Sequence, residues 1–433
     1  MPFLSSSNQQ KGRTTVRPPS PPPPYSELQA TSNYKKPMLP TVPGLAPLQH
    51  QHPTYASPGV KIRHSMLATA MVDALGGPAE FQRRFTFDPV TKMIPNDNFG
   101  LEPGVWTDDT SMTLCLARSI ASSKKSKDGF DEKGQLRTYL AWYHRGELSA
   151  IGRCFDIGGS TSRALTLFNA YQNRSTREIL AMIKDEMGDE MFGGNGSLMR
   201  ILPIGLAYWR DEDKTREYAN RSSCTTHPSR LCVEACEVWA TAIAKIMQAT
   251  TTRKPYSKLD ILEHFASYPY SHPKLRQALM VPASAAPLPT EISLAEKEGY
   301  YWLRHPLLLK ITRANNGEAS RRMPHIPFPL PSVLEVPSTG FVLNSLTAAL
   351  YCFLSTQTFE EGALMAVNMG SDADTVGAIY GGLAGVWYAE EEPSNRFWSE
   401  RVISWKDDLL ERKLVEKVAN ELATFSERWA KND

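Results

Sequence analysis

The stretch "NMGSDADTVGAIYGGLAG", residues 368–385, constrains this chain's fold more than any other. From Val376 onward it reads as a helix in which Gly377, Gly381 and Gly385 recur every four residues and so share one face. Each glycine costs about 1 kcal/mol of helix stability relative to alanine. A face made smooth at that cost predicts another backbone packed against it. The stretch also places Asp372 and Asp374 two apart, followed by Thr375. Inside a helix such positions diverge, so the two carboxylates can share a ligand only on a turn that precedes the helix. Helix N-termini favour carboxylates in any case, and plain capping would also account for them.

Helical periodicity extends over most of the chain. "RHSMLATAMVDALGGPAEF" keeps helical apolar spacing until Gly76, Gly77 and Pro78 end it. "WTDDTSMTLCLARSI" starts another helix, with Asp108 and Asp109 in its first turn and a stripe of Met112, Cys115, Leu116 and Ile120. "QLRTYLAWYH", "REILAMIKDEM", "SRLCVEACEVWATAIAKIMQ", "FVLNSLTAALYCFLS", "FEEGALMAVNMG" and "LVEKVANELATFSERWA" read the same way. Strand signals are nearly absent, which predicts an all-α fold. Residues 1 to about 60 read as a disordered Pro-rich tail, and 61–433 as one large helical domain. Within that domain, about 250–335 reads as an irregular Pro-rich insertion with one helical piece at "SLAEKEGYYWL". In the tail, Pro22, Pro23, Pro24 and Tyr25 form a PPxY sequence, which predicts a WW-domain partner.

A formal net charge of +2 argues against nucleic acid or an anionic membrane as the main partner. No run reaches the ~18 apolar residues of a membrane helix, and the first twenty residues lack a secretory apolar core. Six cysteines are sparse for 433 residues and fit a reducing compartment, cytoplasmic or nuclear. Cys232 and Cys236 lie one helical turn apart near His227, but no second cysteine pair completes a zinc site. They are expected on a buried helix face.

Four stretches carry chemistry. "VDALGGPAEF" places Asp73 in a helix and Glu80 just past its end, where a carboxylate can line a cleft or simply be solvated. "WTDDTSM" offers Thr107, Asp108 and Asp109 at a helix start, more oxygen donors than capping needs. "MFGGNGSLMR" surrounds Asn195 with Gly193, Gly194 and Gly196, a loop whose N–H groups can face a phosphate, though a plain turn fits too. The opening stretch adds Asp372, Asp374 and Thr375. Carboxylates and hydroxyls in this number suit Mg²⁺, Mn²⁺ or Ca²⁺, and without a cation such a cluster is strongly repulsive.

The order "VDALGGPAEF", "WTDDTSM", "GGNGSLMRILPIG", "TTHPS" and "MGSDADTVGAIYGG" resembles the ADP-ribosylglycohydrolase family across most of residues 62–390. "FDIGGSTSRAL" is similar to the family as well. The resemblance implies an all-α domain with two Mg²⁺ ions, or Mn²⁺, at the base of an ADP-ribose cleft. Thr107, Asp108 and Asp109 would hold one ion, Asp372 and Thr375 the other, and Asp374 both. Gly194, Asn195, Gly196, Ser197 and His227 would contact ADP-ribose; Glu80, with Asp109 or Asp374, would act in catalysis. The implied reaction is hydrolysis of a glycosidic bond to ADP-ribose, on protein or a related conjugate. The alternative is a catalytically silent ADP-ribose-binding or adaptor protein. Val72, Ser371 and Ala373 depart from the family pattern without removing an implied ligand.

Overall fold

The computed structural model describes residues 42, 44–123, 128–391 and 396–429. Residues 1–41, including the PPxY sequence, lie outside them. The helices run in order as α1 (Pro58–Gly76), α2 (Asp108–Ser122), α3 (Glu132–Arg145), α4 (Gly159–Ala170), α5 (Thr176–Met187) and α6 (Leu202–Ala207). Then come α7 (Glu212–Ser223), α8 (Arg230–Thr252), α9 (Lys258–Ser267), α10 (Pro273–Leu279), α11 (Leu294–Arg304) and α12 (Pro306–Asn315). After a short antiparallel ribbon, β1 (Ser320–Arg322) with β2 (Pro329–Pro331), follow α13 (Val342–Ser355), α14 (Phe359–Val367) and α15 (Ala373–Tyr388). The last two are α16 (Glu400–Asp408) and α17 (Arg412–Trp429). The class is all-α.

The backbone that answers the glycine ladder is α1. Every residue of α15 is buried. A β-carbon at Gly377 would lie 2.7 Å from the Val72 carbonyl oxygen, and one at Gly381 2.6 Å from that of Ala68. At Gly385 it would meet Ser65 Cα at 2.6 Å. The two helices are therefore antiparallel and in backbone contact, which leaves no room for any side chain on the α15 face. Gly377 is also what accommodates Val72. Helices α2 and α17 pack on α1, and α13 and α14 on α15.

Two fully buried lysines close helix ends. Lys61 Nζ donates to the Val386 carbonyl at the end of α15 (2.7 Å), and Lys258 Nζ donates to Phe353 and Thr356 carbonyls at the end of α13 (2.5 and 2.5 Å). Carbonyls left over in a last turn are natural acceptors for cations.

Two expectations need correcting. Residues 44–57, read as part of the tail, pack on the domain: Leu48 is fully buried, its N–H donates to Glu298 Oε1 (2.7 Å), and Thr54 N–H donates to the Trp387 carbonyl (2.9 Å). A single apolar anchor in a Pro-rich context has no periodicity to reveal it. The segment 250–335 holds α9, α10 and α12 besides the expected α11. His272–Pro273 and His305–Pro306 are helix starts, with proline at the first helical position, where a missing N–H costs nothing.

Candidate active site

Asp73 sets the position of α2. The Thr107 and Thr110 N–H groups donate to its two oxygens, each at 2.9 Å, and the Thr110 hydroxyl adds a third bond at 2.6 Å. Its carboxylate is thus consumed in fastening α2 to α1. Burial raises its pKa to about 6, against the pull of these hydrogen bonds.

This brings the first turn of α2 beside that of α15. Thr107 Oγ1 lies 2.9 Å from Asp73 Oδ1, 3.1 Å from Asp109 Oδ2 and 3.3 Å from Asp374 Oδ2, and its one proton cannot serve all three. Thr375 Oγ1 donates to Asp109 Oδ2 at 3.2 Å. Asp109 Oδ1 and Asp374 Oδ1 are buried with no hydrogen-bond partner. Carboxylate oxygens of Asp73, Asp109 and Asp374 lie within 4.8 Å of one another, as do those of Glu80, Asp156 and Asp374. Burial first, then repulsion from neighbouring carboxylates (Asp156 on Asp108, Asp374 on Asp109, Glu80 on Asp374), holds Asp108, Asp109 and Asp374 well above the usual carboxylate range. Thr107 and Asp372 occupy N-cap positions, yet neither side chain makes a capping bond. Orphaned hard oxygens crowded at this spacing are a donor set that fits divalent cations.

A cavity of about 350 Å³ opens over this cluster. Glu80, Asp108, Asp156, Asp372, Asp374 and Thr375 line one part of it; Gly158–Thr161, Gly194–Gly196 and His227 line the rest. Gly370 and Ser371 both take left-handed conformations, φ 64° and 62°. The turn is held by Ser371 N–H donating to the Gln82 carbonyl (2.7 Å) and Phe81 N–H to the Ser371 carbonyl (2.6 Å). Phe81 and Asp156 also have positive φ, 60° and 59°. Strained non-glycine backbone at a cavity rim is a mark of a functional site.

The expected residues therefore converge, with one exception. Ser197 is fully buried, and its hydroxyl accepts from Ser223 Oγ (2.9 Å) and Cys236 Sγ (3.4 Å), so its side chain turns into the protein and not the cavity. The serine follows the glycine loop in sequence, but the chain has already bent inward there. Thr107 and Asp109 lie behind the cavity wall, fully buried. Asp156 is the participant that residue spacing missed. It is a lone aspartate in "FDIGGSTSRAL", with no second donor beside it, and only folding brings Glu80 and Asp374 to it.

The family model for ADP-ribosylglycohydrolase matches residues 55–432. This chain belongs to the ADP-ribosylglycohydrolase family. Within that family it is similar to an ADP-ribosylarginine hydrolase of Serratia proteamaculans, 25% identical over 370 residues, covering 84% of this chain and 78% of the relative. The ADP-ribosyl-[dinitrogen reductase] glycohydrolase of Rhodospirillum rubrum is 24% identical over 333 residues, 76% of this chain and 85% of that one. A solved "ADP-ribosylglycohydrolase-related protein complex" superposes with a TM-score of 0.58 at 31% identity, covering 86% of this chain and 99% of the other.

Proposed function

We propose that this protein hydrolyses a glycosidic bond to ADP-ribose with the help of two divalent cations, Mg²⁺ first and Mn²⁺ as a substitute. The observation that carries this reading is the pair of buried, partnerless oxygens, Asp109 Oδ1 and Asp374 Oδ1, under the cavity. Thr107, Asp108 and Asp109 would hold one ion, Asp372 and Thr375 the other, and Asp374 both. When bound, the cations would orient the ribose diol and make a bound water a better nucleophile.

The protein's own groups supply the rest. The Gly194–Gly196 loop and His227 would hold the ADP-ribose in the cavity that the carboxylates also line. Burial, then Asp156, raises the Glu80 pKa to about 10, whereas burial, then Asp372, raises that of Asp156 to about 7 against a hydrogen bond with Glu80. Two neighbouring carboxyls with separated pKa values divide acid from base. Glu80 and Asp156 are the pair placed to pass a proton to the departing group and to take one from the attacking water. Arginine is the first acceptor to test, because a similar protein is named an ADP-ribosylarginine hydrolase. Six free cysteines support a reducing compartment, cytoplasm or nucleus.

The test is a panel of defined conjugates (arginine, serine, O-acetyl and nucleobase linkages), with and without Mg²⁺. Free ADP-ribose released only with Mg²⁺ supports the reading. Inorganic phosphate or a nucleoside monophosphate as product would make the protein a phosphohydrolase instead. Binding of ADP-ribose without release from any conjugate would make it a silent binding protein.

A further inference from the structure

Arg200 is fully buried just after the glycine loop, and its partners are all neutral. Its guanidinium donates to Tyr139 Oη (3.0 Å), to the Gly196 carbonyl, to the Ser222 carbonyl (3.4 Å), to Thr225 Oγ1 (3.2 Å) and to Thr226 Oγ1 (2.8 Å). Arginine can only donate. Thr226 Oγ1 therefore accepts from Arg200 and keeps its own proton for another partner. A hydroxyl oxygen can accept twice, but among the described residues the one acceptor in hydrogen-bond reach of the Thr226 proton is His227 Nδ1, 2.8 Å away. Thr226 is fully buried and His227 is 3% exposed, so solvent does not compete for the proton. Nδ1 is then an acceptor, and the ring proton sits on Nε2.

Nε2 packs against the glycine loop at the cavity wall. A β-carbon on Gly194 would come 3.4 Å from it, and one on Gly196 3.3 Å. Among the described residues Nε2 has no hydrogen-bond partner, while His227 lines the cavity. We infer that Arg200, acting through Thr226, locks His227 as its Nε2–H tautomer and so presents a fixed hydrogen-bond donor to an acceptor oxygen of the bound ligand. That this ligand is ADP-ribose rests on the function proposed above; the tautomer does not. Burial, then the Arg200 charge, holds the His227 pKa down to about 3, so the ring stays neutral. A neutral ring with one committed nitrogen binds and orients without exchanging protons. Arg200 is a positioning residue in this scheme, tied to the loop through Gly196 and to the imidazole through Thr226. Its positive charge, paired among the described residues only with neutral groups, also lies behind the glycine loop and favours an anionic ligand group beside that loop.

The test is long-range ¹H–¹⁵N NMR of the full-length chain labelled at histidine, with His227 assigned by its loss in His227→Gln. The expected spectrum shows Nδ1 unprotonated and Nε2 protonated at neutral pH. A protonated Nδ1, or the averaged shifts of two exchanging tautomers, overturns the inference without a variant being needed. Thr226→Val keeps the shape and removes the hydroxyl. It should give averaged shifts and weaken ADP-ribose binding about tenfold by calorimetry, the equivalent of one hydrogen bond. Thr226→Ser should restore both. A Thr226→Val protein that keeps the single Nε2–H form overturns the relay. Absence of ADP-ribose binding by the parent protein overturns the proposed function instead, and leaves the tautomer result standing.

Discussion

Asn195 Nδ2 donates to Asp372 Oδ2 at 2.5 Å and to Ser345 Oγ at 2.8 Å, which ties the glycine loop to the carboxylate turn. The proposed ligand-binding loop and the proposed cation-binding turn are therefore mechanically joined. Asn195→Ala leaves Asp372 without its amide donor, and a hydrogen bond to a charged group contributes about 1.5–3 kcal/mol. Urea unfolding in EDTA should show a loss of that size, and ADP-ribose affinity should fall with it. Unchanged values in both assays would mean that the two parts are independent.

Asp374 stands where both donor groups meet. Asp374→Asn removes a negative charge from the cluster and supplies a weaker donor, so Mg²⁺ affinity should fall by roughly tenfold or more. Thr375→Ala removes one neutral donor and should cost less. In EDTA, Asp374→Asn should be more stable than the parent, because repulsion among buried carboxylates is relieved. Mg²⁺ calorimetry with thermal unfolding in EDTA checks both signs. Equal Mg²⁺ affinity in parent and variant would remove Asp374 from the donor set.

The glycine ladder gives a prediction opposite to helix propensity. Gly381→Ala gains about 1 kcal/mol of helix preference but drives a methyl to 2.6 Å from the Ala68 carbonyl oxygen, and backbone cannot yield cheaply. The net result should be a loss of about 1–3 kcal/mol in denaturant unfolding. Gly382→Ala, on the same helix, meets side-chain atoms of Leu202 at 3.1 Å and Thr69 at 3.2 Å, which can shift. It should be close to neutral.

Lys61 makes stability depend on pH. Burial lowers its pKa from 10.5 to about 7, with Arg396 adding to the shift. Between those values the unfolded chain holds a proton that the folded protein sheds, so Lys61 makes stability rise with pH across that window. The slope is at most about 1.4 kcal/mol per pH unit. Lys61→Met should remove this component. Unfolding free energies of parent and variant, compared from pH 7 to 10, should converge as pH rises; parallel profiles would mean the amine stays charged.

Truncation separates tail from domain. Removing residues 1–41 should leave the melting temperature unchanged. Cutting through residue 57 removes Leu48 and strips Glu298 of the Leu48 and Gln49 N–H donors, at 2.7 and 3.1 Å, leaving a buried carboxylate with only Trp302 Nε1 at 3.0 Å. Loss of hydrogen bonds to a carboxylate costs about 1.5–3 kcal/mol each at most, and thermal unfolding should register it. Capture by a WW domain should be lost in Tyr25→Ala with hydrolysis intact; equal capture of both forms would dismiss the motif.

Local pattern carried much of this protein. Helical periodicity located α1, α2, α8 and α15, because a stripe of apolar residues is written at consecutive turns and survives any tertiary context. Glycines at 377, 381 and 385 announced a backbone neighbour, and the oxygen donors at 107–109 and 372–375 announced a cluster of carboxylates, since such groups are wasteful for capping alone. Helices α7, α10 and α12 were less legible: a polar surface helix or a Pro-started short one has little stripe to show.

Which neighbour the glycines face, and which carboxylates stay bare, were decided only by the tertiary fold. Val72 and Gly377 are 305 positions apart, and no local rule pairs them. Asp73 reads from sequence like any other acidic candidate, yet three threonine donors from another helix consume it, while Asp109 and Asp374 each keep an oxygen with none. Asp156 reaches Glu80, and Ser197 turns away from the cavity, for the same reason: hydrogen-bond supply and burial are properties of the packed surroundings. Residue identity specifies what a group can donate or accept, and only the long-range packing determines what remains for a ligand to take.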